Sequence, residues 1–270
     1  MNASLQDKVA VITGASMGIG EALAKLCVAE GACVVLASRD AGRTEAARAR
    51  IGHTERTLAL ACDVRNHEEI DRLLSLTLHN FGRLDIWVNN AGHGLADSVV
   101  EMDMAACREM FDTNLFGAIY GMQVAIRAMR QQGSGAVINI SSVAGHIPLP
   151  YSAAYSGTKF AMNAMGKAAR LELQGTGVNV ITVCPGYVAT NFSQNLVRGR
   201  NASQHLGSPI RGISDGRVAR AVLQAYLKNK REVVVPWRDR IFITLYQLCP
   251  ALVEYGMMRY ALKRQDESQP

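Results

Sequence analysis

The sequence predicts an α/β domain built as a doubly wound parallel sheet, and three observations carry that prediction. Short apolar runs of strand length alternate with helical apolar patterns, an order that builds a parallel sheet with crossover helices. The first run, Val9 to Thr13, stops at a glycine turn, Gly14-Ala-Ser16-Met17-Gly18-Ile19-Gly20, that opens a helix. At 270 residues the chain fits one such domain and can bury about three quarters of its unfolded surface.

In that first unit, Leu23, Leu26 and Cys27 share one side of a helix that runs to Glu30-Gly31. Strand, glycine turn and helix in this order make a phosphate cradle. Glycines let the backbone approach an anion, and free N–H groups at the helix start point at it. The spacing Gly-x-x-x-Gly-x-Gly differs from the standard dinucleotide fingerprint and from the P-loop.

The second strand, Cys33 to Ala37, ends in Ser38-Arg39-Asp40. In dinucleotide folds an acid at this strand end holds the ribose 2′-hydroxyl, and a nearby arginine accommodates a 2′-phosphate. Ser38 aligns with the acidic position and leaves Arg39 to face a phosphate, which favours NADP(H) and keeps NAD(H) as the alternative. Asp40 is either a cap for the next helix or a displaced ribose ligand. Arg43 is read as a solvated helix residue.

A third strand from Thr57 to Cys62 is closed by Asp63-Val64, and a helix follows through Ile70, Leu73, Leu74 and Thr77. Leu84 to Val88 is a fourth strand, stopping at Asn89-Asn90-Ala91-Gly92. Two asparagines at a strand end are costly to bury unless they bond backbone or ligand. His93 reads as loop filler. One long helix is expected from about Asp103 to Arg130, with Asn114 as an amide in an apolar interior that requires a partner.

The run Ala136 to Ile140 ends in Ser141-Ser142, and after a turn with Gly145, Pro148 and Pro150 a helix carries Tyr155 and Lys159. Four residues apart on a helix, a phenol and an ammonium can lie side by side. A tyrosine near pH 10 is too weak an acid for neutral-pH catalysis, and lowering it by about three units needs roughly 4 kcal/mol. One cation about 4 Å away at an effective dielectric near 20 supplies that. Ser142 is placed to hydrogen-bond a substrate oxygen. Tyr151 is a rival without a base four residues on.

Val178 to Cys184 is a further strand, ending in Pro185-Gly186-Tyr187-Val188-Ala-Thr190. Residues 191–212 turn polar and read as a lid or binding loop. Val218 to Leu227 is helical, and Glu232 to Val235 is the last strand. The tail, 238–262, is helical and apolar nearly all round, with Arg238, Arg240, Arg259, Lys263 and Arg264 flanking it. It is barely long enough to span a bilayer and carries Gln247, Pro250 and Glu254. Packing on the core or on a second subunit is the first reading, and a helix lying in a membrane interface the second.

The net charge of +6 is scattered, without the clustered stripe that nucleic acid requires. Six cysteines lie far apart, with no Cys-x-x-Cys and no Cys/His ligand cluster. Buried free thiols are therefore expected rather than disulfides or a metal. The amino terminus carries no apolar segment, so a cytoplasmic location is expected rather than secretion.

With Gly14-Ala-Ser-x-Gly-Ile-Gly20, Asn89-Asn-Ala-Gly92, Ser142, Tyr155-x-x-x-Lys159 and Pro185-Gly186 in one order, the chain resembles the classical short-chain dehydrogenase/reductase family over residues 7 to 235. The resemblance implies a Rossmann-type sheet of about seven parallel strands with helices on both faces, and a nicotinamide cofactor across the strand ends. It implies Tyr155 as acid or base at the substrate oxygen, and Lys159 as the residue that lowers its pKa and holds the nicotinamide ribose. Ser142 would orient the substrate, and Asn114 would complete a proton relay. Asp63 and Val64 fall at the adenine, Asn90, Ala91 and Gly92 along the nicotinamide side, and Val188 and Thr190 at the carboxamide. Met17 departs from a site often basic in NADP-dependent members, leaving that preference to Arg39.

The expected reaction is hydride transfer between NADP(H) and a small-molecule carbonyl or secondary alcohol. His146, Leu149 and Tyr187 are expected to line the substrate pocket of a hydrophobic compound. A homodimer or homotetramer is expected. A dinucleotide-binding sensor or scaffold without turnover is the rival from another class, and the intact Tyr/Lys/Ser set speaks against it.

Overall fold

The computed structural model describes residues 5–189, 196–198 and 212–267. Seven parallel strands form one sheet: β1 (Val9–Thr13), β2 (Cys33–Ser38), β3 (Thr57–Ala61), β4 (Ile86–Asn89), β6 (Gly135–Ile140), β7 (Val178–Pro185) and β9 (Glu232–Val235). Their order across the sheet is β3-β2-β1-β4-β6-β7-β9. The chain winds outward one way from β1 and then returns to wind the other way from β4. The crevice between those two strand ends is where open α/β sheets bind ligands. The short strands β5 (Leu95–Ala96) and β8 (Val197–Arg198) form a separate parallel pair. This β8 is the described part of the stretch 191–212, read above as loop.

Alternation along the strands explains why helices are needed on both faces. Ala10, Ile12, Val34, Leu36, Ile138 and Ile181 point to one side, against α1 (Gly18–Ala29), α2 (Ala41–Ile51) and α7 (Asp215–Leu227). Val11, Val35, Trp87, Val137 and Val180 point to the other, against α3 (His67–Phe81), α5 (Gly117–Gln132) and α6 (Ala153–Glu172). Each fully buried Val, Leu or Ile contributes roughly 1.5–3 kcal/mol relative to exposure. Two such layers hold the strand ends, and with them the site, in fixed positions.

Two expectations about helices are corrected. The single helix expected over 103–130 is α4 (Met104–Phe111), one π-helical turn (Asp112–Phe116) and then α5. The apolar period continues through the break, so the sequence does not betray it. The tail is two helices, α8 (Arg238–Leu248) and α9 (Pro250–Glu267), set at 114°. Pro250 excludes helical continuity at Cys249, whose backbone leaves the helical region. Ile243 and Val253 pack inward, while Trp237, Ile241, Leu245, Leu248, Leu252 and Tyr255 stay exposed. No single helix among the described residues is long and apolar enough to cross a membrane.

Candidate active site

The glycine turn is shaped by close packing against the end of β4. Gly14 and Gly18 hold φ of +63° and +58°, conformations that a side chain resists. A Cβ on Gly20 would lie 2.5 Å from the Gly14 carbonyl oxygen. Asn90 Nδ2 donates to the carbonyls of Thr13 and Gly14 at 2.9 and 3.0 Å, and Thr13 Oγ1 accepts from the N–H groups of Asn90 and Ala91. The Nδ2 of Asn90, a residue expected at the cofactor, thus braces the turn. Helix α1 opens after Met17 with no side-chain cap, which leaves its first-turn N–H groups to an anion. Ser16 and Ile19, both half-buried, complete a cradle that fits the pyrophosphate of a dinucleotide.

At the end of β2, Asp40 resolves as a helix cap, accepting from Arg43 N at 2.9 Å. Ser38 Oγ is bonded to Thr44 Oγ1 at 2.5 Å. Arg39 reaches Glu109 at 3.6 Å and is about half exposed. Arg65 joins the same carboxylate at 2.8 Å and grips Asp63 through two nitrogens. Burial works to raise the Asp63 carboxyl, but the bonds from Arg65 outweigh it and hold it below the usual range. Glu109 and Arg65 were not among the residues singled out by sequence. Their charges meet only because α4 is folded over the β2 and β3 ends.

Two of the groups expected to carry the chemistry, Asn114 and Lys159, lie beside Gly92. A Cβ there would sit 3.0 Å from Asn114 Oδ1 and 3.9 Å from Lys159 Nζ. Asn114 is fully buried in the π turn, its amide paired with the main chain of His93 and with Thr158 Oγ1 at 3.4 Å. Ser142 is hydrogen-bonded to Tyr155, and its Oγ also accepts from Ala144 N at 3.1 Å and reaches Pro185 O at 3.4 Å. His93, read above as filler, supplies both of the main-chain partners of Asn114. A side-chain reading of the sequence holds no signal for that.

Lys159 lies beside the Tyr155 ring, as the helical spacing expects. The amine lies 5.6 Å from the ring centroid and donates to the Ile140 carbonyl at 2.9 Å. Burial dominates both groups: it pushes the Tyr155 hydroxyl up to about 12, against the lowering bond from Ser142. It brings Lys159 down to about 8. Burial thus favours the neutral phenol, with the Lys159 amine on the ring's flank and held by the Ile140 carbonyl.

On the substrate side, Leu149 and Tyr187 are exposed beside the site, and Val188 bridges to Ile213. Pro185 is buried and Gly186 donates to Val235 O at 2.7 Å. Thr190 lies outside the described residues. His146 does not line this face: its side chain is 8% exposed and turns toward Cys184 and Glu232. Cys249, expected among buried thiols, is exposed, and all six cysteines are free.

Comparison with known proteins agrees with this architecture. A family model described as short chain dehydrogenase matches residues 8–201. An uncharacterized oxidoreductase of Staphylococcus saprophyticus is 35% identical over 195 residues, covering 72% of this chain and 79% of that protein. Dehydrogenase/reductase SDR family member 7B of Danio rerio is 32% identical over 241 residues, covering 86% and 78%. Among solved structures, a 3-ketoacyl-(acyl-carrier-protein) reductase from Brucella melitensis complexed with NADH superposes with a TM-score of 0.77 at 26% identity, over 86% of this chain and 98% of that one. A short-chain dehydrogenase/reductase from Burkholderia phymatum in complex with NAD shares the fold at a TM-score of 0.83 and 23% identity, over 92% and 95%. The chain belongs to the short-chain dehydrogenase/reductase family of oxidoreductases.

Proposed function

We propose that the protein transfers a hydride between NADP(H) and a carbonyl or secondary alcohol of a hydrophobic small molecule. The observation that supports this is a chain of contacts at the strand ends: Asn114 and Lys159 lie beside Gly92, Lys159 flanks the Tyr155 ring, and Tyr155 is bonded to Ser142. The pyrophosphate would rest on the Gly14–Gly20 turn and the start of α1. Arg39 and Ser38 would meet the adenosine ribose, Asp63 and Val64 the adenine, and Pro185, Gly186, Val188 and Thr190 the carboxamide. Ala91 and Gly92 would wall the nicotinamide, whose C4 supplies or accepts the hydride when bound.

The chain's own residues then handle the oxygen. In reduction, the neutral Tyr155 donates its proton to the substrate oxygen while Ser142 holds that oxygen in line. Lys159 is the nearest group able to return a proton to the phenol, and Asn114 keeps the His93 backbone in register beside it. Positioning and desolvation are what the protein adds. NAD(H) is the second reading, favoured by the Glu109 carboxylate that already pairs with Arg39 and by the NADH complex of the Brucella relative. We assign the reaction to a cytoplasmic homodimer or homotetramer, with the exposed tail face resting on a second subunit or, as the second reading, on a membrane surface.

Steady-state oxidation of NADPH and NADH against a panel of ketones tests the proposal. Turnover is expected with a hydrophobic ketone and should fall by at least 100-fold in Tyr155→Phe, the scale of a lost general acid. A Tyr155→Phe enzyme with wild-type kcat would overturn the assigned role.

A further inference from the structure

The turn after β6, the end of β7 and the start of β9 converge on a buried cluster that the proposed chemistry does not use. His146 Nε2 lies 3.5 Å from Cys184 Sγ and 3.6 Å from Glu232 Oε2. All three donor atoms lie within 4.8 Å of one another. Cys184 is fully buried and Glu232 is 15% exposed.

A second observation points to the same spot. Among the described residues, two buried side-chain atoms lack a hydrogen-bond partner: Glu232 Oε2 and Asn163 Oδ1. Glu232 Oε2 belongs to this cluster, and the Asn163 amide meets it through Nδ2, 3.4 Å from His146 Nε2. That Nδ2 donates to Gly145 O at 2.8 Å, which fixes the amide's orientation and leaves Oδ1 without a donor. Buried oxygens are normally satisfied, and Glu232 Oε2, beside an imidazole nitrogen and a thiol, has only an ion pair with the solvent-facing Lys167, a place that a metal ion can take.

We infer that His146, Cys184 and Glu232 bind a zinc ion, with a water as fourth ligand. Zinc bonds of roughly 2.0–2.3 Å at a tetrahedral angle set donors about 3.5 Å apart, close to the distances from His146 Nε2 to Cys184 and to Glu232. A thiolate, an imidazole and one carboxylate select zinc over the hard cations. The three ligands come from separate segments, so the ion would staple β7, β9 and the turn behind Ser142.

Two cations already face Glu232. Arg240 is 3.0 Å from Oε1 and can remain there. Lys167 is 3.2 Å from Oε2 and 59% exposed, so it can swing into solvent when the metal arrives. Binding also releases the Cys184 proton to solvent, and thiolate and carboxylate together balance the two charges of the ion. A buried water is the rival occupant, and it would satisfy Glu232 Oε2 without involving the thiol.

The test uses full-length protein and cobalt(II) as a spectroscopic probe for zinc, with zinc affinity read by competition against a chromophoric chelator. One cobalt per chain is expected, with a thiolate-to-cobalt charge-transfer band that zinc abolishes. The band should vanish in Cys184→Ser and persist in Cys249→Ser. Lys167→Met should tighten zinc binding several-fold, because it removes the competitor. Wild-type protein that binds no metal at micromolar zinc, or binds cobalt without the thiolate band, overturns the inference whether or not the variants fold. None of these readouts depends on turnover.

Discussion

Asn114 clasps the main chain of His93 at two points, accepting from its N–H at 2.9 Å and donating to its carbonyl at 2.8 Å. The π turn that carries Asn114 inserts an extra residue into the helical winding, a departure that recurs at functional sites. The clasp fixes the strand-end loop beside Lys159 without any charged group.

Asn114→Leu keeps the volume but leaves two buried main-chain groups unpaired. A stability loss of roughly 2–6 kcal/mol is expected, at about 1–3 kcal/mol for each orphaned group. Urea unfolding with an unchanged midpoint would show that the clasp bears no weight.

Gly20→Ala tests the cradle. The new methyl would meet the Gly14 carbonyl at 2.5 Å and Asn90 Nδ2 at 2.6 Å, so the turn must open. Dinucleotide affinity should drop by more than about tenfold, as expected when a bonded phosphate loses its backbone donors. Gly256→Ala, with no atom near the added methyl, is the control and should gain helix stability of up to about 1 kcal/mol. Equal nucleotide affinity in wild type and Gly20→Ala, by fluorescence titration, would remove the cradle.

The proposed part of Arg39 in cofactor preference can be tested from both ends of its ion pair with Glu109. Arg39→Ala should weaken NADPH and spare NADH. Glu109→Gln should strengthen NADPH by roughly threefold, the scale of one exposed charge. If both variants leave the NADPH/NADH ratio of kcat/KM unchanged, neither residue faces a 2′-phosphate.

The sheet was legible because its strands are apolar runs with side chains buried on both faces, and Val9–Thr13 and Glu232–Val235 fall where the pattern put them. The ends of elements carried more signal than their interiors: Gly14, Asn89 and Ser142 mark strand ends by their chemistry. What stayed hidden was set by main-chain partners and by contacts between remote segments. Ile140's carbonyl captures Lys159, His93's backbone holds Asn114, and His146 faces Glu232 across the sheet edge. None of these leaves a mark in residue type or spacing, since a backbone group is the same in every residue.

The tail offers a stripe at helical spacing, Trp237, Ile241, Leu245 and Leu248, continued by Leu252 and Tyr255, with Arg238 and Arg259 exposed beside it. Wild-type protein should sediment with vesicles rich in anionic lipid, and Leu248→Asp with Leu252→Asp should release it. Absence of wild-type binding at low salt, together with dimer loss in the double variant by light scattering, would assign the face to a subunit contact instead.

Lys159 carries a pH signature. Burial brings it from 10.5 in the unfolded chain to about 8 in the folded one. Between those values the unfolded state binds one proton more, so the folded state gains stability as pH rises. The full change corresponds to roughly 3 kcal/mol as an upper bound. Lys159→Met removes the buried charge but also the bond to Ile140. The stability of wild type relative to Lys159→Met should therefore climb from pH 7 to 10 and level off below pH 7. Tyr155 and the other tyrosines are common to both proteins, so their titration cancels in the difference. Chemical denaturation of the pair across that range measures it directly, and a difference that stays flat would mean the amine keeps its solution pKa in the folded protein.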